Sequence, residues 1–239
     1  RHEALYDRPI PERHRIVFYI GHLEAFDWNL VARRALGIDA FDERLDQLFA
    51  FGIDPVDGGL PRDTPAEWPS LDAVAAYNRR VRRTIDDAVD RVQGADPRLG
   101  LLEGGTAFQV AIEHRLMHAE TLAYMLHRLP LDRKVAPPLA PVPAAATPRP
   151  AAIAIPAGNA TLGLARGAAF GWDNEFERHG VAVPAFEIDS IKATNRHLLE
   201  FIDAGGYTRR ELWNDADWEW QQANAIRHPS FWRRDADHW

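Results

Sequence analysis

Glu113-His114-Arg115-Leu116-Met117-His118-Ala119-Glu120 carries two histidines four residues apart. On an α-helix, residues i and i+4 lie on one face, a turn apart, so His114 and His118 can aim both imidazoles at a single metal ion. The same spacing arises without a metal, in histidines that are solvated or satisfied in a core. A third ligand decides between the two. His22, in Tyr19-Ile20-Gly21-His22-Leu23-Glu24-Ala25-Phe26-Asp27-Trp28, lies in an apolar helical stripe where a buried imidazole needs a partner. Three neutral imidazoles suit Zn, Fe, Cu or Ni, and a chain without cysteine offers no closed thiolate site. Glu24 and Glu120 are placed to accept a ring N–H from a ligating histidine, although the plainer reading makes both solvated helix charges.

Outward from this stretch, the chain reads as helical through about residue 129. Pro11-Glu12 opens a first helix, with Ile16, Val17, Ile20, Leu23, Phe26, Leu30 and Val31 near the 3.6 period and Gly37 as its C-cap. Residues 42–51 form a short second helix, and residues 52–69, rich in Gly, Pro and Asp, a long connection. Ser70 caps a third helix whose apolar positions are Leu71, Val74, Ala75, Val81, Ile85, Ala88 and Val89, ending near Gly94. Thr106 begins a fourth, which runs to Arg128 and is closed by Pro130. Four helices with one long crossover predict an up-down bundle.

Residues 130–152, with Pro137, Pro138, Pro141, Pro143, Pro148 and Pro150, form an extended, semi-rigid linker. Beyond it the texture changes to a mixed domain. Residues 153–163 read as strand, turn, strand, and residues 181–188 as a further strand. Thr194 to Asp203 reads as a short helix closed by Gly205-Gly206, and the remainder as Trp-rich with few regular runs. Five of the eight tryptophans (Trp213, Trp218, Trp220, Trp232 and Trp239) fall in this tail. They line a ligand pocket or, more commonly, form the core of an irregular domain.

Composition narrows the function. The chain has 239 residues, 46% hydrophobic and 26% charged, with a formal net charge of −7. That balance excludes a basic nucleic-acid footprint. No apolar run reaches the roughly 18 residues of a membrane helix, and no cysteine is present, so the expected location is the cytoplasm. The composition leaves the oligomeric state open. The cluster Arg79-Arg80-Val81-Arg82-Arg83 puts positions 79, 82 and 83 on one helix face. It holds a substrate carboxylate or is solvated and paired with Asp86, Asp87 and Asp90. The second reading suits Arg80 and Arg83, and the two stand even for Arg79 and Arg82. Asp173-Asn174-Glu175 binds a cation or, more simply, fixes a turn.

The order of motifs resembles a known family. The helical half is similar to the DinB-like four-helix bundle. The part after the linker resembles the formylglycine-generating-enzyme (sulfatase-modifying, C-type-lectin-like) fold, through residues 155–163, Asp173-Asn174-Glu175, Phe186-Glu187-Ile188-Asp189, Ala193-Thr194-Asn195, residues 201–207 and Glu211-Leu212-Trp213. In this order the two resemble the ergothioneine-biosynthesis sulfoxide synthases (EgtB-like) and the related selenoneine synthases (SenA-like). The resemblance implies an α bundle over 1–129, a linker over 130–152 and a mixed α/β domain over 153–239. That last domain is shorter than the family's, so it is read as the N-terminal part. The resemblance implies a non-haem Fe(II) held by His22, His114 and His118, with O2 as co-substrate. It implies joining of a sulfur or selenium donor to C2 of the imidazole of hercynine. The family's later catalytic residues have no counterpart here, so no catalytic residue is assigned.

Two departures bear on the donor. The family often reads His-Glu-x-Gln-His, whereas this chain reads His114-Arg115-Leu116-Met117-His118, which puts Met117 where a polar residue faces hercynine. The family often has Arg directly after the third-helix tyrosine, whereas Tyr77 is followed by Asn78, leaving Arg79 or Arg82 as substitutes. The substrate-binding candidates are therefore Asn78, Arg79, Arg82 and Met117. A selenosugar or a thiol other than γ-glutamylcysteine becomes a donor, with a lean to the SenA-like branch. The alternatives are a DinB-like divalent-metal thiol S-transferase and a non-catalytic hercynine- or sugar-binding protein.

Overall fold

The computed structural model describes residues 1–50, 62–92, 100–135, 150–167, 169–236 and 238–239. Helix α1 spans Ile16–Asp27 and runs on as a π-helical segment, Trp28–Ala35. Helices α2, α3 and α4 span Glu43–Leu48, Leu71–Val92 and Thr106–Arg128. Strands β1 to β4 span Ala152–Ile155, Gly158–Leu162, His179–Val183 and Phe186–Asp189. Helices α5 and α6 span Asn195–Asp203 and Asp215–Ala223. The chain divides into two compact units, one built from residues 1–142 with 164–177 and the other from 143–163 with 178–239.

In the first unit, α3 and α4 have the expected extents over their described residues. The Ser70 hydroxyl accepts the Ala73 N–H at 3.2 Å, and the expected end at Gly94 lies outside the described residues. The start of α1 is corrected. Pro11 and Glu12 lie in a turn, and the helix begins at Ile16 because Arg15 is extended (φ −64°, ψ 154°). The Arg15 guanidinium is anchored instead, with Nε 2.8 Å from an Asp63 carboxylate oxygen and an Nη 2.7 Å from the Tyr6 carbonyl. Gly37 does end the helix, with φ +69° and its N–H on the Arg33 carbonyl at 3.2 Å.

The one-face stripe expected for α1 is also revised. Ile16, Val17, Phe18, Tyr19, Ala25, Trp28, Val31 and Ala32 are buried, whereas Ile20, Leu23, Phe26 and Leu30 are half-buried. This helix is central and packs on both α3 and α4, so its burial wraps around it. From α3 the core receives Val74, Tyr77, Val81 and Ile85, and from α4 Ala107, Ala111 and Met125.

Helix directions agree with up-down order. Asn78 bonds the Ile20 carbonyl and Arg82 reaches Asp27, so α1 and α3 run parallel. His118 meets Tyr19 while Arg115 meets Asp27, so α4 runs antiparallel to α1.

In the second unit, the stretch expected as one strand over 181–188 is two. Antiparallel β1–β4 pairs Ile155 with Phe186, and antiparallel β2–β3 pairs Gly158 with Val183. Between them Pro156-Ala157 lies across from Pro184-Ala185. Neither proline has an N–H to give, so one long ladder becomes two short ones. The tail is more regular than expected: α6 carries Trp218 and Trp220 behind an Asn214 cap that accepts the Asp217 N–H at 2.8 Å. Among the described residues of this unit only Gly206 and Gln221 are buried, and the Gln221 amide donates to the Tyr207 and Ile226 carbonyls at 2.7 and 3.0 Å.

Gly21 is where α1 meets the residue that ends α2. A Cβ there would lie 2.4 Å from the Phe49 ring. Gly21→Ala is expected to destabilise the chain by about 1–3 kcal/mol through overpacking, measured by chemical unfolding.

Candidate metal centre

His22 comes from the middle of α1, and His114 and His118 from successive turns of α4. The structure brings the three together. His114 Nε2 lies 3.1 Å from His22 Nε2 and 3.0 Å from His118 Nε2, and one ring nitrogen from each falls within 4.8 Å of the others. All three are buried, at 5%, 7% and 6% exposure. Neighbouring ligands on one ion, bound about 2.1 Å away at right angles, would stand about 3.0 Å apart, so this donor set fits a metal.

Aromatic rings hold the imidazoles from the side. Phe26 stacks on His114 at 3.5 Å and 11°, and Phe18 on His22 at 4.7 Å and 20°. Tyr19 stands against His118 at 5.4 Å. His22 Nδ1 lies 2.6 Å from the Phe49 carbonyl oxygen, an acceptor only. Nδ1 therefore carries the proton and Nε2 keeps its lone pair toward the other two histidines. His114 Nδ1 and His118 Nδ1 are buried without a hydrogen-bond partner among the described residues.

Electrostatics keeps the cluster neutral. Burial, then the neighbouring His118 and His22, then Arg115, push the His114 pKa down to about 3. Burial, then His22 and Arg13, push His118 down to about 4. Burial lowers His22 too, opposed by the Phe49 carbonyl. Desolvation penalises the imidazolium form, so at neutral pH the cluster presents three lone pairs.

Around it runs a charged layer that the sequence did not reveal. Asp27 Oδ2 accepts from Arg82 at 2.7 Å and from Arg115 at 2.9 and 2.6 Å. Glu24 pairs with the same two guanidiniums. Glu24 is thus held by arginines rather than by a histidine ring, and it is not a solvated charge either. Glu120 is exposed on α4.

The other expected residues divide. Arg82 is engaged across the helices, not with Asp86, Asp87 or Asp90, which are exposed. Arg80 lies over the Phe41 ring at 4.1 Å, and Arg83 Nε donates to the Arg79 carbonyl at 3.3 Å. Arg79 is exposed. Asn78 donates its amide to the Ile20 carbonyl at 2.9 Å, leaving its Oδ1 buried without a hydrogen-bond partner among the described residues. Met117 is 53% exposed beside His118. Tyr77 donates to Asp46 at 2.7 Å, and burial and that carboxylate push its pKa up.

Asp173-Asn174-Glu175 is an exposed single turn in which Glu175 accepts the Trp172 N–H at 2.7 Å, as a turn-fixing role requires. Of the tail tryptophans, Trp213 donates to the Gly206 carbonyl at 2.8 Å, and Trp232 and Trp239 pack at 5.5 Å. Trp220 is 58% exposed. Among the described residues no helix is long and apolar enough to cross a membrane.

Comparison with known proteins gives two family matches. Residues 2–122 match the DinB superfamily, and residues 139–238 match the sulfatase-modifying factor enzyme 1-like domain. The chain is 34% identical over 176 residues to the hercynine oxygenase of Mycolicibacterium smegmatis, covering 70% of this chain and 37% of that protein. It is 33% identical over 187 residues to the hercynine oxygenase of Mycolicibacterium thermoresistibile, covering 73% and 38%. To ergothioneine biosynthesis protein 1 of Neurospora crassa it is 28% identical over 222 residues, covering 84% and 24%. It thus spans well under half the length of these relatives.

Metal-stripped protein should show the cost of three buried neutral imidazoles. Unfolded histidines take protons near pH 6.5, while the folded His114 and His118 resist until about pH 3 and 4. Their contribution is complete above about 6.5 and lost as pH falls toward 4. The melting temperature of metal-stripped protein is expected to drop steadily across that interval, and less steeply in His114→Phe.

Proposed function

The chain belongs to the EgtB-like family, a DinB-type bundle joined to a sulfatase-modifying-type domain, and from that premise we propose that it oxidatively joins sulfur or selenium to C2 of the hercynine imidazole. The convergence of three neutral imidazole nitrogens from α1 and α4 carries the reading. His22, His114 and His118 would hold Fe(II). When bound there, the iron supplies dioxygen activation beside a soft thiolate or selenolate.

The chain's own residues do the positioning. Phe49 fixes the His22 tautomer, and Phe26 and Phe18 clamp two of the ligand rings while excluding water. Met117 offers an apolar, polarisable contact beside His118 and exposed Arg79 a carboxylate contact, whereas Asn78, with its Oδ1 buried and its amide on the Ile20 carbonyl, joins α3 to α1. Arg82, tied to Glu24 and Asp27, serves a substrate carboxylate less readily than Arg79. Met117 favours the selenosugar-type donor over γ-glutamylcysteine. Residues 1–129 are read as the metal-binding bundle, 130–152 as a tether and 153–239 as the second domain, in a cytoplasmic protein.

The test incubates Fe(II)-loaded protein with hercynine, dioxygen and, in parallel, γ-glutamylcysteine, cysteine, a thiosugar and a selenosugar, with products read by mass spectrometry. His114→Ala and His118→Ala are each expected to abolish iron uptake and oxygen-dependent turnover. Full activity in either sinks the proposal. Thiol transfer without oxygen would instead mark a divalent-metal S-transferase, and tight hercynine binding by metal-free protein with no turnover a binding protein.

A further inference from the structure

We propose that Asp27, gripped by Arg82 and Arg115, is a positioning residue: it sets the register of α1 against α3 and α4 and so brings the three histidines to one centre. The inference rests on the metal-site reading. Asp27 lies five residues beyond His22, about 7.5 Å along the helix, and Arg115 is next to His114. One carboxylate oxygen, Oδ2, takes both guanidiniums, one from α3 and one from α4. The other, Oδ1, is buried with no partner among the described residues. The Asp27 side chain is 5% exposed and that of Glu24 16%, while Arg82 and Arg115 show 40% and 33%. The four formal charges cancel.

Such a cluster is a poor way to gain stability. Charges taken from water cost several kcal/mol each, and apolar replacements of a whole buried cluster are often neutral or stabilising. It is a good way to choose a register. A one-residue slip between helices moves a side chain about 1.5 Å along the axis and turns it about 100°. Valines and isoleucines tolerate repacking. Two guanidiniums meeting on one oxygen do not, and neither do nitrogens that must stay about 3 Å apart. Arg115 Nη2 also lies 3.4 Å from the Leu23 carbonyl, next to His22, which ties the two ligand-bearing helices at ligand level.

The experiment uses Co(II) as the probe, read by visible absorption, with thermal melting of each metal-free protein alongside. In the variant Glu24→Gln/Asp27→Leu/Arg82→Met/Arg115→Met, melting is expected at or above the parent's temperature. Co(II) affinity is expected to fall roughly 10–100-fold, as for lost supporting contacts at metal sites, with altered absorption bands. Arg115→Lys keeps the charge and loses the fork. It is expected to fold, bind Co(II) about tenfold more weakly, and recover little on added Arg82→Lys. Parent-like Co(II) affinity and bands in either folded variant overturn the proposal. If the parent takes up no Co(II), the metal reading itself fails. Positioning is then read from the histidine ring nitrogen NMR signals of metal-free protein, expected to move in Arg115→Lys and, if unchanged, overturning the claim.

Discussion

Three buried imidazoles, with His114 Nε2 only 3.1 and 3.0 Å from the Nε2 atoms of His22 and His118, cannot share positive charge. Desolvation and mutual repulsion both disfavour protonation, and the rest of the first unit is arranged around that constraint. Phenylalanine rings rather than carboxylates flank the cluster, the Phe49 carbonyl accepts the His22 N–H, and the carboxylates near it, Glu24 and Asp27, are occupied by arginines. A carboxylate left free beside these rings would pull a proton onto one of them. The bundle neutralises these acids with Arg82 and Arg115.

The parts of this arrangement that depend on one helix were legible in the sequence. The i, i+4 pair, the extents of α3 and α4, the Ser70 cap and the Gly37 stop follow from local geometry, and the structure repeats them. His22 was legible only as an imidazole stranded in an apolar stripe. Its partner lies 92 residues away in sequence, and no spacing rule spans that gap. The start of α1 lies at Ile16 rather than at Pro11-Glu12, because Arg15 is extended and its guanidinium is held by Asp63, a contact set by tertiary packing. The split of β3 from β4 could have been read, since Pro184 stands inside the run.

What the sequence hid most completely was the use of its charges. The cluster of residues 79–83 looks uniform, yet each arginine meets a different fate according to its angle on α3. Arg79 faces out, Arg80 covers Phe41, Arg83 turns back on its own helix, and Arg82 alone points to α1. A single rotation of about 100° per residue separates them. Local patterning offered Asp86, Asp87 and Asp90 as partners because those are near in sequence. The real partners, Glu24 and Asp27, are near only after α1 and α3 have packed in parallel.

The antiparallel α1–α4 seam gives residue 115 its role. Arg115 stands between the two α4 histidines, where the sulfoxide synthases that the sequence resembles often carry an acid. An acid at 115 would face Asp27 and Glu24 across the α1–α4 seam, three carboxylates against Arg82 alone. With Arg115 the seam holds two of each sign. A change beside a ligating histidine is readily taken as a change in substrate contact. Here the side chain points along the seam to Asp27 and the Leu23 carbonyl, so Arg115 answers to the acids of α1. Met117, on the same turn, leaves its side chain 53% exposed and takes no part in that seam.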